Sequence, residues 1–211
     1  GRQDWYILPR HARISLALII LAQAKNCFIP YFKIMQSTIT SKIARYRILF
    51  VAAFLVFALD QITKAWIFCN LDLDSYYPPD SIAVIDDFFY IVHIGNEGAA
   101  WGMLSGYGEL LAAFALIALL VIYLLRHTLE LHRKSMQYTF GLLAGGILGN
   151  MADRLVHGHV IDFLDFHFPF SIPWLMPTGR YPSFNIADCG IVAGTILYLI
   201  LSFKIEAQTD S

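Results

Sequence analysis

Asp162 and Asp188 are two carboxylic acids with no Lys or Arg at helical spacing, in a 211-residue chain that is 57% hydrophobic and only 15% charged. Two such groups brought together where water is scarce cannot both ionise readily. One keeps its proton at neutral pH, which leaves an acid beside a base. A pair of this kind can deprotonate a water for attack on an amide carbonyl, hydrogen-bond the carbonyl oxygen and later protonate the leaving amine. Spacing alone leaves plainer readings open: a helix N-cap for Asp188 and a loop turn for Asp162.

Asp60, Lys64 and Asp153 also interrupt apolar segments, where an uncompensated charge costs about 3 kcal/mol. Asp60 and Lys64 stand four residues apart and are expected to pair along a helix. Asn150, Asp153 and Arg154 share a helix face, so Asp153 is expected to stay ionised beside Arg154 and brace the structure. Asp60, Lys64 and Asp153 therefore read as support. His157, His159 and His167 flank Asp162, but H-x-H-x-x-D has neither the H-E-x-x-H spacing nor the cysteine pairs of recognisable zinc sites, and no metal is assigned. Cys27, Cys69 and Cys189 form no C-x-x-C pair. There is no G-x-S-x-G elbow, P-loop or dinucleotide fingerprint, so serine-based and nucleotide-driven chemistry lack support.

The elements that hold these residues must be membrane helices. A mean hydropathy of +0.57 lies outside the range of ordinary soluble domains. The fold class expected is an all-α integral membrane protein of four transmembrane helices with a small extracytoplasmic β/loop subdomain. The spans fall at about 48–68, 110–125, 138–154 and 185–203. The third carries Gly141, Gly145 and Gly149 at four-residue spacing, a flat stripe for close helix packing. From Cys69 through Glu109 there are seven acidic residues and no Lys or Arg, whereas Lys42, Arg45 and Arg47 precede the first span and Arg126, Arg133 and Lys134 join the second to the third. The positive-inside bias therefore places both termini in the cytoplasm and the 69–109 and 155–183 loops outside. In the first outer loop, Ser81–Ile85 and Phe88–Ile94 are expected to pair as short strands. In the second, four prolines among aromatic residues between His167 and Phe184 exclude a helix and predict an interfacial flap.

Residues 1–46 read as a cytoplasmic extension and 47–211 as the membrane domain, with Met35 a candidate native start. Arg10, Arg13, the apolar run Ile14–Ala22 and Ala22-Gln23-Ala24 imitate a secretory signal. Cleavage there would leave Lys25, Lys33, Lys42, Arg45 and Arg47 on the outer side, against the charge bias, so a surface-lying segment fits better. With a rise of 1.5 Å per residue, Asp60 lies about 19 Å beyond Arg47, in the outer half of its span. Asn150, Asp153 and Arg154 end the third span at the same face, and Asn185 and Asp188 begin the fourth there. All the polar residues meet at one level.

Five strings, D-Q-I-T-K (60–64), N-E-G-A-A-W-G (96–102), G-G-I-L-G-N-M-A-D-R (145–154), H-V-I-D-F (159–163) and F-N-I-A-D (184–188), resemble, in order, the motifs of lipoprotein signal peptidase, signal peptidase II, over about residues 47–201. The resemblance implies an intramembrane aspartyl endopeptidase of the bacterial inner membrane, monomeric and needing no cofactor, metal or nucleotide. It would cut prolipoproteins just before a diacylglyceryl-modified cysteine, near the extracytoplasmic face, in contact with membrane lipid and with no nucleic-acid partner. It also implies Asp162 and Asp188 as the catalytic pair. Asn96, Gly98, Asn150, Arg154, Asn185 and Ala187 become substrate-contacting or site-shaping positions, and Asp60, Lys64 and Asp153 the support. The repeated N-x-x-D pattern would otherwise pair Asp153 with Asp188; the adjacent Arg154 argues against that. Two departures stand out: Cys189 replaces the usual hydroxyl residue after the second aspartate, and the stretch between Asp162 and Asp188 is longer than usual. A small proton-coupled transporter is the alternative, since buried Asp and Lys also build proton relays. A helix-pairing assembly protein built on the glycine stripe is another.

Overall fold

The computed structural model describes residues 44–99 and 103–209, with side chains to residue 204. The expectations for the extension before residue 44, and for the 100–102 part of the second motif, lie outside the described residues. Among the described residues four helices carry the fold: α1 (Arg47–Asn70), α2 (Gly108–Leu124), α3 (Lys134–His157) and α4 (Ile186–Thr209). Each lies where a span is expected, with ends shifted by a few residues. By length and composition, α1 and the Ile186–Lys204 part of α4 are apolar enough to cross a membrane; α2 is apolar but has 17 residues.

The helices are greasy outside and polar inside. On α1, Phe54, Leu55, Leu59, Ile62 and Trp66 are exposed, whereas Asp60 and Lys64 are buried. In water this pattern would be unstable, and against lipid it is the favourable one, because ionisable groups then face the protein interior. The most polar helix, α3, is accordingly the most enclosed and packs against α1, α2 and α4.

The glycine stripe explains how α3 fits there. A Cβ built on Gly145 would stand 2.6 Å from Ala53 O, and one on Gly141 would stand 2.6 Å from Ala52 Cβ. Only a missing side chain lets α1 approach so closely. Gly146 and Gly194 do the same at the α3–α4 contact, and Gly190 where α4 meets Val56 of α1 and Leu142 of α3.

Beyond the helix ends lies a three-stranded antiparallel sheet in the order β1 (Ile82–Ile85), β2 (Phe89–Asn96), β3 (Val160–Phe166). The first two strands are the expected hairpin. The third is hidden in the sequence: 160–166 reads as loop, yet it pairs with β2, with Asp162 opposite Ile94. Helix α3 stops at Gly158, whose φ of 80° closes the helix in a left-handed cap and turns the chain into β3 within two residues. Ile161 and Phe163 join Ile67 in an apolar cluster that seats the sheet on the helix ends, and strand alternation turns Asp162 between them to the other face. The 167–184 stretch contains no helix. It returns along β3, with Phe184 bridged to Leu164 and His167 to Arg180.

Candidate active site

A buried ionic frame comes first. Lys64 Nζ lies 2.9 Å from Asp60 Oδ2 and 2.8 Å from Asp153 Oδ2. Its third proton goes to Asn150 Oδ1 at 2.9 Å. Asp60 Oδ1 accepts the Ala187 backbone N–H at 2.8 Å, and Asp153 Oδ2 accepts that of Ile161 at 3.1 Å. One lysine therefore ties α1 to α3, while its two carboxylates hold the starts of α4 and β3. Gln61, to which sequence reasoning assigns no role, donates to Asp153 Oδ1 at 3.0 Å and bridges the same groups. Its place beside Asp60 in D-Q-I-T-K is the available signal.

The frame corrects one expectation. Asp153 is braced by Lys64 and not by Arg154, because adjacent helical residues point away from each other. The Arg154 guanidinium reaches Gly98 O at 2.7 Å and Asn150 O at 3.2 Å, and so holds the segment after β2 against α3. Asp153 is still unsuited to share a proton with Asp188, now because Lys64 holds it.

Asp162 and Asp188 lie beside this frame, joined through asparagines. Asp162 Oδ1 accepts Asn185 Nδ2 at 2.7 Å, and its Oδ2 accepts Asn96 Nδ2 at 2.9 Å. Asp188 Oδ1 accepts Asn150 Nδ2 at 2.7 Å, and its Oδ2 accepts the Asn185 backbone N–H at 3.2 Å. Each of the four carboxyl oxygens thus has an amide donor. The orientations are mutually fixed, since Lys64 occupies Asn150 Oδ1 and Gly98 N–H occupies Asn96 Oδ1 at 3.0 Å. Burial, and then the charge of Asp188, push the Asp162 carboxyl from 3.8 up to about 7.

Both aspartates line a cavity of about 690 Å³ that continues along α4 past Ile191, Val192 and Ile196. Asn96, Asn150 and Arg154 share its wall. Asn185 and Ala187 are wholly buried behind it. Ala187 therefore shapes the site: its backbone binds Asp60, and its Cβ fills the space left by Gly149. Cys189 also faces the cavity. It takes no side-chain part in the helix cap, which Asn185 and Asp188 form between themselves.

No group of three or more His, Cys, Asp or Glu side chains is arranged to hold a metal ion among the described residues. His167 Nε2 instead lies 2.8 Å from Asp165 Oδ2. The fully buried Asp165 also accepts Arg180 Nε at 2.8 Å and Ser183 Oγ at 3.0 Å. This junction ties the returning segment to β3, and neither it nor β3 is visible in the sequence.

Residues 52–204 match the family described as signal peptidase (SPase) II. The chain belongs to the signal peptidase II family. It is therefore an aspartic peptidase, and family membership decides for an enzyme over a transporter or an assembly protein. The lipoprotein signal peptidase of Shewanella amazonensis is 38% identical over 161 residues, which cover 74% of this chain and 86% of the relative. The Nostoc punctiforme lipoprotein signal peptidase is 37% identical over 161 residues, covering 75% and 90%. Two bacterial membrane enzymes solved by the in meso method share the fold. One has a TM-score of 0.64 at 32% identity and covers 76% of this chain and 90% of its own. The other has 0.60 at 33%, covering 74% and 92%. Signal peptidase II membership also accounts for the apolar outer surface of the helices.

Proposed function

We propose that this protein removes signal peptides from bacterial prolipoproteins, cutting before a diacylglyceryl-modified cysteine with a water activated by Asp162 and Asp188. The observation that carries the reading is the pair itself: two carboxyl groups, amide-held on every oxygen, opening into one cavity whose far wall is apolar. The apolar α4 wall suits the signal segment and acyl chains, while the carboxyl groups face the polar end.

The asymmetry of the two sites supports a division of labour. Asp162, on a strand and raised to about 7 by burial and by the Asp188 charge, keeps its proton and donates it to the scissile carbonyl oxygen. Asp188 sits in the first turn of α4, where the helix N-terminus favours a negative charge, and takes a proton from water. The water oxygen bonds to the carbonyl carbon, forming a tetrahedral diol. On collapse, Asp188 returns its proton to the leaving cysteine nitrogen, the C–N bond breaks, and a diol hydroxyl gives its proton back to Asp162. Both aspartates end in the protonation states in which they began, and only one water and the peptide bond are consumed.

The accompanying topology is four spans with both termini cytoplasmic in the inner membrane, and an extracytoplasmic site carried by the sheet. Its support is the charge asymmetry of the loops and the meeting of polar side chains at one end of the helices. A monomer suffices, since one chain supplies every group named. Mass spectrometry of a prolipoprotein presented with and without its diacylglyceryl group tests the reading. Cleavage is expected immediately before the cysteine and only in the modified form; equal cleavage of the unmodified protein, or a cut elsewhere, would overturn it.

A further inference from the structure

Asp162 borders a second cavity, of about 460 Å³, which lies between the end of β2 and the 167–184 segment. Its character differs from that of the α4 cavity: Tyr76, Glu97, Ser105, Thr178 and Arg180 contribute polar side chains to the wall. A chain cut between Asp162 and Asp188 has to leave the reacting bond in two directions. The apolar signal half matches the α4 cavity. The half that becomes a water-exposed protein matches the polar one.

Arg180 is the cationic side chain among the described residues lining this second cavity. Its plane is fixed, because Nε donates to Asp165 Oδ1 at 2.8 Å and the guanidinium carbon sits 4.9 Å from the centroid of the Tyr76 ring. Its Nη2 has no acceptor within the protein, and the side chain as a whole is 23% exposed. An unmet buried N–H is costly, and a ligand that brings an acceptor relieves that cost. The acceptor that every polypeptide carries is its backbone carbonyl. Asp165, paired with the guanidinium at 2.8 Å, already offsets its charge, so a neutral carbonyl suits this place better than a strongly acidic sequence.

We propose that the second cavity receives the polypeptide immediately downstream of the cleaved bond, and that the partly exposed guanidinium of Arg180 donates a hydrogen bond to a backbone carbonyl of that segment. Arg180 is then a specificity-determining residue for substrate length and conformation on the carboxyl side of the cut. The inference rests on the peptidase reading above, and it assigns a role to the lengthened stretch between the two aspartates.

The test compares two diacylglyceryl-modified synthetic peptides in detergent micelles, one with a polar downstream segment and one ending at the modified cysteine as its amide. Wild-type protein, Arg180→Gln and Arg180→Lys are each assayed with both. For the wild type, KM is expected to rise about tenfold on truncation, the loss of one charge-assisted hydrogen bond. In both variants the ratio of the two KM values should collapse towards one, because the partner of the deleted carbonyl is gone. The Arg180→Lys variant retains a cation for Asp165, so it separates the lost guanidinium donor from a disturbed fold. Wild-type KM values indifferent to truncation, or variants that keep the wild-type ratio, would overturn the inference alone. Failure of the wild type to cut either peptide would overturn the peptidase reading and the inference with it.

Discussion

Asn185 and Asp188 cap each other: Asn185 Oδ1 accepts the Asp188 N–H at 3.0 Å, and Asp188 Oδ2 accepts the Asn185 N–H at 3.2 Å. This reciprocal box starts α4 and at the same time aims the Asp188 carboxyl. The remaining Asn185 donor reaches Asp162, so one side chain aligns both members of the pair.

Asn185→Ala should therefore cost activity out of proportion to stability. Loss of the cap is worth about 1 kcal/mol, a small fall in Tm. Loss of the Asp162 contact should lower kcat at least about tenfold, the equivalent of one hydrogen bond to an ionisable group. Thermal unfolding and steady-state kinetics on the same detergent-solubilised sample check both.

The Asp162 carboxyl, pushed up to about 7, sets the expected pH dependence. In its proposed role as proton donor it must be protonated, so kcat/KM should fall as pH rises through about 7, with the loss of one proton. The stability sign follows from the same shift. Between 3.8 and about 7 the folded protein binds this proton more tightly than the unfolded chain does, so stability should decline as pH rises across that window and level off above it. Asp162→Asn should flatten this part of the stability profile, as measured by denaturant unfolding at a series of pH values.

Lys64 is the counter-ion of two buried carboxylates, so removing it leaves both without their cation. Lys64→Met should destabilise the protein by about 3–5 kcal/mol, as for other buried pairs broken from one side. Lys64→Arg is not expected to rescue, since a planar guanidinium cannot replace three converging protons from one nitrogen. The yield of folded, membrane-extracted protein reports this directly.

The helices are legible in the sequence because lipid as solvent demands long apolar runs and leaves each polar residue conspicuous. Asp60 with Lys64 and the Gly141–Gly145–Gly149 stripe behave as their spacing requires, because both depend on contacts one helical turn apart. The role of Arg154 is misread from sequence because its proximity to Asp153 conceals an opposite direction on the helix, and the true partner, Lys64, comes from another helix. Strand β3 and the Asp165–Arg180 junction escape for a similar reason. Val160–Phe166 is nearly continuously buried and shows no alternation, and its pairing partners lie far away in sequence. The asparagines at 96, 150 and 185 are singled out by their motifs, but which oxygen each one holds emerges only when four elements meet.

The central claim is that Asp162 and Asp188 together perform the hydrolysis. The decisive measurement is mass spectrometry of a diacylglyceryl-modified prolipoprotein incubated with purified wild-type, Asp162→Asn and Asp188→Asn proteins of matched folded yield. The account predicts release of the signal peptide by the wild type and an unchanged substrate mass with each variant; full turnover by either variant would contradict it.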